Sequence, residues 1–156
     1  MTYSSQYPNI FTTETTLQLH SRIDKLNPSS PALWGKMNVS QMLAHCCMPY
    51  LQVLGLNNQA PPALMKLLVK LLFKKSMTNT VPYKPGLPTA PAFVMKDEKE
   101  FEVEKNKLKS LLKEAHEKGA NWYDDRAQVS LGKLSTQEWN NLLYKHIDHH
   151  LRQFGV

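Results

Sequence analysis

The sequence predicts an all-α fold, a helical bundle built as one domain over residues 1–156. Three observations carry that expectation. Apolar residues recur at helical spacing in four stretches, two of which open on a capping box, and no segment alternates as a half-buried strand does. Length agrees, since about 150 residues is a common size for a single core.

The elements follow in chain order. Leu19, Ile23 and Leu26 recur at i, i+4 and i+7, and Asn27-Pro28 then stops that helix. The second helix starts at Asn38, with Gln41 in the capping-box position and Met37 and Met42 as a hydrophobic staple. It runs through SQMLAHCCMPYLQVL to Gly55, and Pro49 within it is expected to kink or divide it. After Pro61-Pro62 comes a short extra helix, ALMKLLVKLLFKK, expected to pack its leucines and solvate its lysines. The rival reading is that it lies on an anionic membrane.

The connection from Ser76 to Lys96 is a long crossover. Its prolines, Pro82, Pro85, Pro88 and Pro91, repeat every third residue, which suits polyproline II. It reads better as a stiff strap along the bundle than as a docking peptide, with a lid role left open. Asp97 and Glu100 are expected to open a long charged helix reaching Gly119, with acids early and lysines late as the helix dipole favours. Its apolar side is Phe101, Leu108, Leu111, Leu112 and Ala115. Ser135 and Glu138 form the second capping box, flanked by the staple pair Leu134 and Trp139, and that helix ends at Gly155.

Composition narrows the function. Apolar residues make up 42% and charged residues 21%, with a net charge of +6, so the chain is neither a disordered polyelectrolyte nor a fibre. Only three of nineteen basic residues are arginine, too few for bidentate reading of bases, so no nucleic-acid partner is expected. The stretch from Ala63 to Phe73 is interrupted by Lys66 and Lys70 and is too short to span a bilayer. The opening MTYSSQYPNIF lacks the pattern of a secretory leader, so a cytoplasmic location without membrane attachment is expected. Cys46 and Cys47 are adjacent and form no ordinary disulfide, and Cys46 reads as an inert core thiol.

The chemistry-bearing residues are histidines. His146, His149 and His150 lie within five residues of the last helix. With His146 at zero on a wheel of about 100° per residue, Leu143, Ile147, Leu151 and Phe154 fall between about 60° and 140°. His150 falls near 40° and His149 near −60°, so His146 and His150 point inward and His149 sits at the rim. Such an i, i+4 pair can share one metal ion but supplies only two ligands. His45, on the polar stripe of the second helix with Asn38, Gln41 and Gln52, is the candidate third. Packed, hydrogen-bonded core histidines are the alternative. Imidazoles suit Ni²⁺ or Zn²⁺ rather than Ca²⁺ or Mg²⁺. Gln41 and Gln153 are the nearest partners for their outer nitrogens by spacing, with His149 outside the ligand set. Affinity is expected to weaken below about pH 6, because a reference imidazole titrates near 6.5.

Two motifs carry a resemblance: RIDKLNPSSPALWGKMNVSQMLAHC (Arg22–Cys46) and LGKLSTQEWNNLLYKHIDHHLRQFG (Leu131–Gly155). With them the chain resembles the DinB/YfiT-like superfamily of metal-dependent proteins, and within it an uncharacterised bacterial family of unknown function. HxxHHxxQ late in the last helix is the more specific part. The resemblance implies a four-helix bundle with a divalent-metal site, one ligand from the second helix and an i, i+4 pair from the last. Those positions are His45, His146 and His150. It further implies a metal-dependent transferase or hydrolase acting on a small molecule, with a low-molecular-weight thiol as a co-substrate in S-transferase relatives. Dimers are common in that superfamily, which admits a homodimer. One departure stands out: where relatives often read His-Pro, this chain has Gln128 and Val129.

Overall fold

The computed structural model describes residues 7–156; residues 1–6, the start of the opening read for a leader, lie outside the described residues. Helices dominate. They are α1 (Thr13–Asp24), α2 (Val39–Val53), α3 (Ala63–Thr78), α4 (Phe101–Lys118), α5 (Ala120–Tyr123) and α6 (Thr136–Gln153). A single 3₁₀ turn, Pro91–Phe93, interrupts the strap. Between α5 and α6 lies a hairpin of β1 (Arg126–Gln128) and β2 (Gly132–Leu134), antiparallel with Ala127 opposite Lys133. The expectation of no strand is corrected here: three residues a side are too few for alternation to register.

Both capping boxes form. Asn38 Oδ1 accepts from the Gln41 amide at 2.9 Å while Gln41 Oε1 accepts from the Asn38 amide at 3.1 Å. Ser135 and Glu138 repeat the exchange at 3.2 and 2.9 Å. Each box satisfies donors that the first turn leaves without partners, which pins where the helix begins and therefore the rotational phase of its histidines. Pro49 does not divide α2, which stays helical through Val53. The charged helix begins at Phe101 rather than Asp97, and its cap residue Glu100 makes no side-chain cap bond.

α2 packs against α4 and α6, and α1 against α4. Leu19, Ile23, Met42, Leu43, Leu108, Leu112, Leu143 and Ile147 fill the space between them, all buried. All five residues expected on the apolar side of α4 are buried as well. At the far end, Arg22 clasps α1 to α6 through Asp148 and the Val156 carbonyl, each at 2.8 Å.

Lys145 falls beside His149 on the α6 wheel, away from the apolar arc, and yet it does not face solvent. It is buried, and its Nζ donates to the carbonyls of Ser76, Asn79 and Val81 and to Asn79 Oδ1, at 2.7–3.1 Å. The ammonium thus caps the carbonyl end of α3 and ties the start of the strap to α6. Burial lowers its pKa to about 8.

α3 overturns the packing expected of it. It runs 16 residues against α6, yet only Thr78 is buried and its leucines face outward. No helix among the described residues is long and apolar enough to cross a membrane.

Candidate metal centre

Two helices bring the histidines together. α6 carries His146 and His150 one turn apart on the side facing α2, and α2 presents His45 from its middle turn. Their ligand nitrogens all lie within 4.8 Å of one another. His45 Nε2 and His146 Nε2 stand 3.0 Å apart, and the His45 and His150 ring centroids are 4.5 Å apart. Nitrogens sharing an ion at about 2.0–2.1 Å sit roughly 3.0–3.4 Å from one another, so the closest pair already has that spacing.

Hydrogen bonds assign the tautomers. His45 Nδ1 is 2.9 Å from the Phe93 carbonyl, which only accepts, so Nδ1 carries the proton and Nε2 offers its lone pair to the cluster. His150 Nδ1 donates to Gln153 Oε1 at 2.8 Å, and Gln153 Nε2 donates onward to the Trp34 carbonyl at 2.6 Å. Two of the three imidazoles are therefore held by their outer nitrogens with the inner nitrogen unprotonated, the arrangement a ligand histidine needs. His146 has no such support: its Nδ1 is buried without a partner, and its Nε2 is left to donate to His45.

Electrostatics favour neutral imidazoles. Burial, reinforced by the neighbouring histidines, holds His146 well below the ordinary value, and burial lowers His45 too. His150 is lowered to about 3, chiefly by burial. Neutral rings are the ligating form, so proton competition sets in at lower pH than the reference imidazole suggests.

The backbone beside the site is shaped for Gln153. A Cβ on Gly35 would come within 2.5 Å of Gln153 Nε2, and Gly35 has φ +83°, a conformation that glycine accepts readily. Gln41 does not take the outer role that spacing suggests. Its amide is committed to the α2 cap and to the Asp97 carbonyl at 3.3 Å, and Phe93 holds His45 instead. His149 stays out of the triad at the rim, its ring 5.6 Å from Trp34 and 5.7 Å from Tyr83. Phe93, Trp34 and Gly35 went unread because two of them act through main-chain carbonyls distant in sequence. Gly35, inside the first motif, is the one signal that could have been followed.

A cavity of about 510 Å³ opens beside His150, with Trp34, Met37, Leu87 and Met95 among its walls and Gln41 and His149 as polar neighbours. The strap forms one side of it through Gly86, Leu87, Pro88 and Thr89, and reaches the triad through Phe93. Neither cysteine contributes. Both are buried, and burial pushes Cys47 up to about 12 and Cys46 well above the ordinary thiol. Gln128 shapes the hairpin: its Oε1 accepts from the amides of Ser130 and Leu131 at 2.7 and 2.8 Å.

Compared with family models, curated proteins and solved structures, the chain matches none.

Proposed function

We propose that this protein is a divalent-metal-dependent enzyme of the DinB/YfiT-like superfamily, a four-helix bundle acting on a small molecule. The observation that supports it is the convergence of His45, His146 and His150 beside the cavity at His150. These three imidazoles would hold Ni²⁺ or Zn²⁺, for which an all-nitrogen, neutral donor set is suited. When bound, such an ion acts as a Lewis acid that lowers the pKa of a thiol or water toward neutrality. His45 and His150 keep their lone pairs aimed inward through Phe93 and Gln153. Trp34, Met37 and Leu87 exclude water from an apolar substrate, and Gln41 and His149 offer it polar contacts. The protein's own thiols are sealed in the core, so thiol transfer here requires a low-molecular-weight thiol from solution.

A second reading rests on a specific contact. His146 Nε2 donates directly to His45 Nε2, so these two inner nitrogens satisfy one another without an ion, as in packed core histidines of a non-catalytic protein. Metal analysis separates the two. Purified protein incubated with Zn²⁺ or Ni²⁺ and desalted should retain about one equivalent. His45→Ala, His146→Ala and His150→Ala should each lose it, by roughly a hundredfold or more in affinity, while His149→Ala keeps it. A parent protein that retains neither ion establishes the packed-histidine reading. Metal lost from His149→Ala but kept by His150→Ala would show that the ligand set is misassigned.

A further inference from the structure

α3 is turned inside out relative to an ordinary surface helix. Leu64, Leu71 and Leu72 are 71%, 70% and 67% exposed, and Met65, Leu67 and Leu68 are exposed beside them. On a wheel with Leu64 at zero these six side chains occupy one arc, from about 300° through zero to about 100°. Lys66, Lys70 and Lys74 occupy the opposite arc, from about 200° to 280°. Lys74 is tied to the hairpin side, donating to the Lys133 carbonyl at 3.0 Å and pairing with Glu138 at 3.5 Å. Lys70 Nζ would lie 3.5 Å from a Cβ on Gly132. The helix therefore meets the protein through Val69, Met77, Thr78 and the stem of Lys74, and leaves the leucine arc exposed. A contiguous apolar face of this kind on a monomer marks an interaction surface.

Charge identifies what covers it. From Lys25 to Lys96 the chain contains eight lysines and not one aspartate or glutamate. That stretch alone carries +8 against +6 for the whole chain, so the remaining residues sum to −2. The α3 face sits in the middle of this acid-free stretch. A second copy would bring two such faces together and repel, whereas an anionic surface is attracted to each. The cavity beside His150 is not lined by α3, and the apolar face of α3 consists of aliphatic chains on a convex helix. A smooth convex face without a groove suits a fluid acyl boundary better than a shaped protein partner. Lys75 rises within the apolar arc at the carboxyl end, where its long stem can carry the ammonium out to lipid headgroups. We infer that α3 docks this protein flat on an anionic phospholipid bilayer, leucines in the acyl boundary and Lys75 at the headgroups.

The full-length protein is mixed with vesicles of phosphatidylcholine carrying about one part in four phosphatidylglycerol, and with phosphatidylcholine alone. It should pellet with the anionic vesicles only, and ~0.5 M NaCl should weaken binding roughly tenfold or more. Leu64→Ser/Leu71→Ser/Leu72→Ser should lower binding by at least about tenfold. Because these side chains are already in solvent, circular dichroism should show the fold unchanged. A second variant works independently of the first: Leu71→Cys takes a bimane label at the new thiol, the two native cysteines being buried. Its emission should shift to the blue on anionic vesicles. The inference is overturned if the parent protein stays in the supernatant, or if the label gives no shift while the protein pellets. It is equally overturned if the label shifts with protein concentration and without lipid, which would place a second copy on the face.

Discussion

α6 and α3 are both amphipathic helices, 18 and 16 residues long, that touch each other, and they use their faces in opposite ways. α6 buries Leu143, Ile147 and Leu151 and spends its inward polar positions on His146, His150 and Gln153. α3 sends its leucines outward and rests on the fold through Val69, Met77, Thr78 and the stem of Lys74. Periodicity describes both helices equally well. It states that a helix has two faces and leaves open which one the rest of the molecule takes. What distinguishes them is the cap: α6 begins on a reciprocal box, while α3 begins on Pro62 with no side-chain cap bond.

Acid should expose the difference most strongly, because the buried histidines lie on α2 and α6 and none lies on α3. In the ion-free protein His45, His146 and His150 have lowered pKa values, His150 about 3. The unfolded chain takes up protons near 6.5 where the native one does not. Stability is therefore fully present above about pH 6.5 and is lost as pH falls toward the native values. His150 alone contributes about 2 kcal/mol of loss between pH 7 and 5, and the other two add in the same direction. Urea unfolding at pH 7, 6 and 5 checks this. A flat profile would mean that the rings are solvated and the site open.

A matched pair of truncations comes next. Leu143→Ala removes a fully buried side chain from α6 and should cost about 3 kcal/mol. Leu71→Ala in α3 removes an exposed one and should change stability by less than about 0.5 kcal/mol. Denaturant midpoints read both. Equal costs would show that the α3 face is covered in solution.

The smallest effect lies in the support of the site. Gln153→Ala frees the outer nitrogen of His150 and removes the tie to Trp34, so Zn²⁺ affinity should fall by about 10–100-fold with all three ligands still present. Competition against a chromophoric chelator measures it. An unchanged affinity would place the orientation of His150 in helix packing alone.

Much of the site was legible. The i, i+4 spacing of His146 and His150, set against Leu143, Ile147 and Leu151, places both rings on the inward side and His149 at its edge, as found. The polar stripe of α2 picks out His45 in the same way. Less legible were the groups that hold the rings. Gln41 was the natural choice by spacing, but the Asn38 cap claims its amide first, and a carbonyl 48 residues away serves His45. Carbonyls carry no residue identity, so no pattern in the sequence announces them.

The presence of the long helices, both capping boxes and the inward phase of the histidines were determined by the sequence alone, because caps and periodicity are local and each is settled within a turn or two. Tertiary structure decided what local rules leave open. Lys145 is buried because the end of α3 supplies oxygens for its ammonium; the three-residue strands pair because their hairpin is braced by Gln128; and Pro49 leaves α2 undivided because packing on α4 and α6 outweighs one missing hydrogen bond. The outward turn of α3 belongs with these. Burial is a property of what stands opposite a face, and opposite the α3 leucines the described fold places nothing.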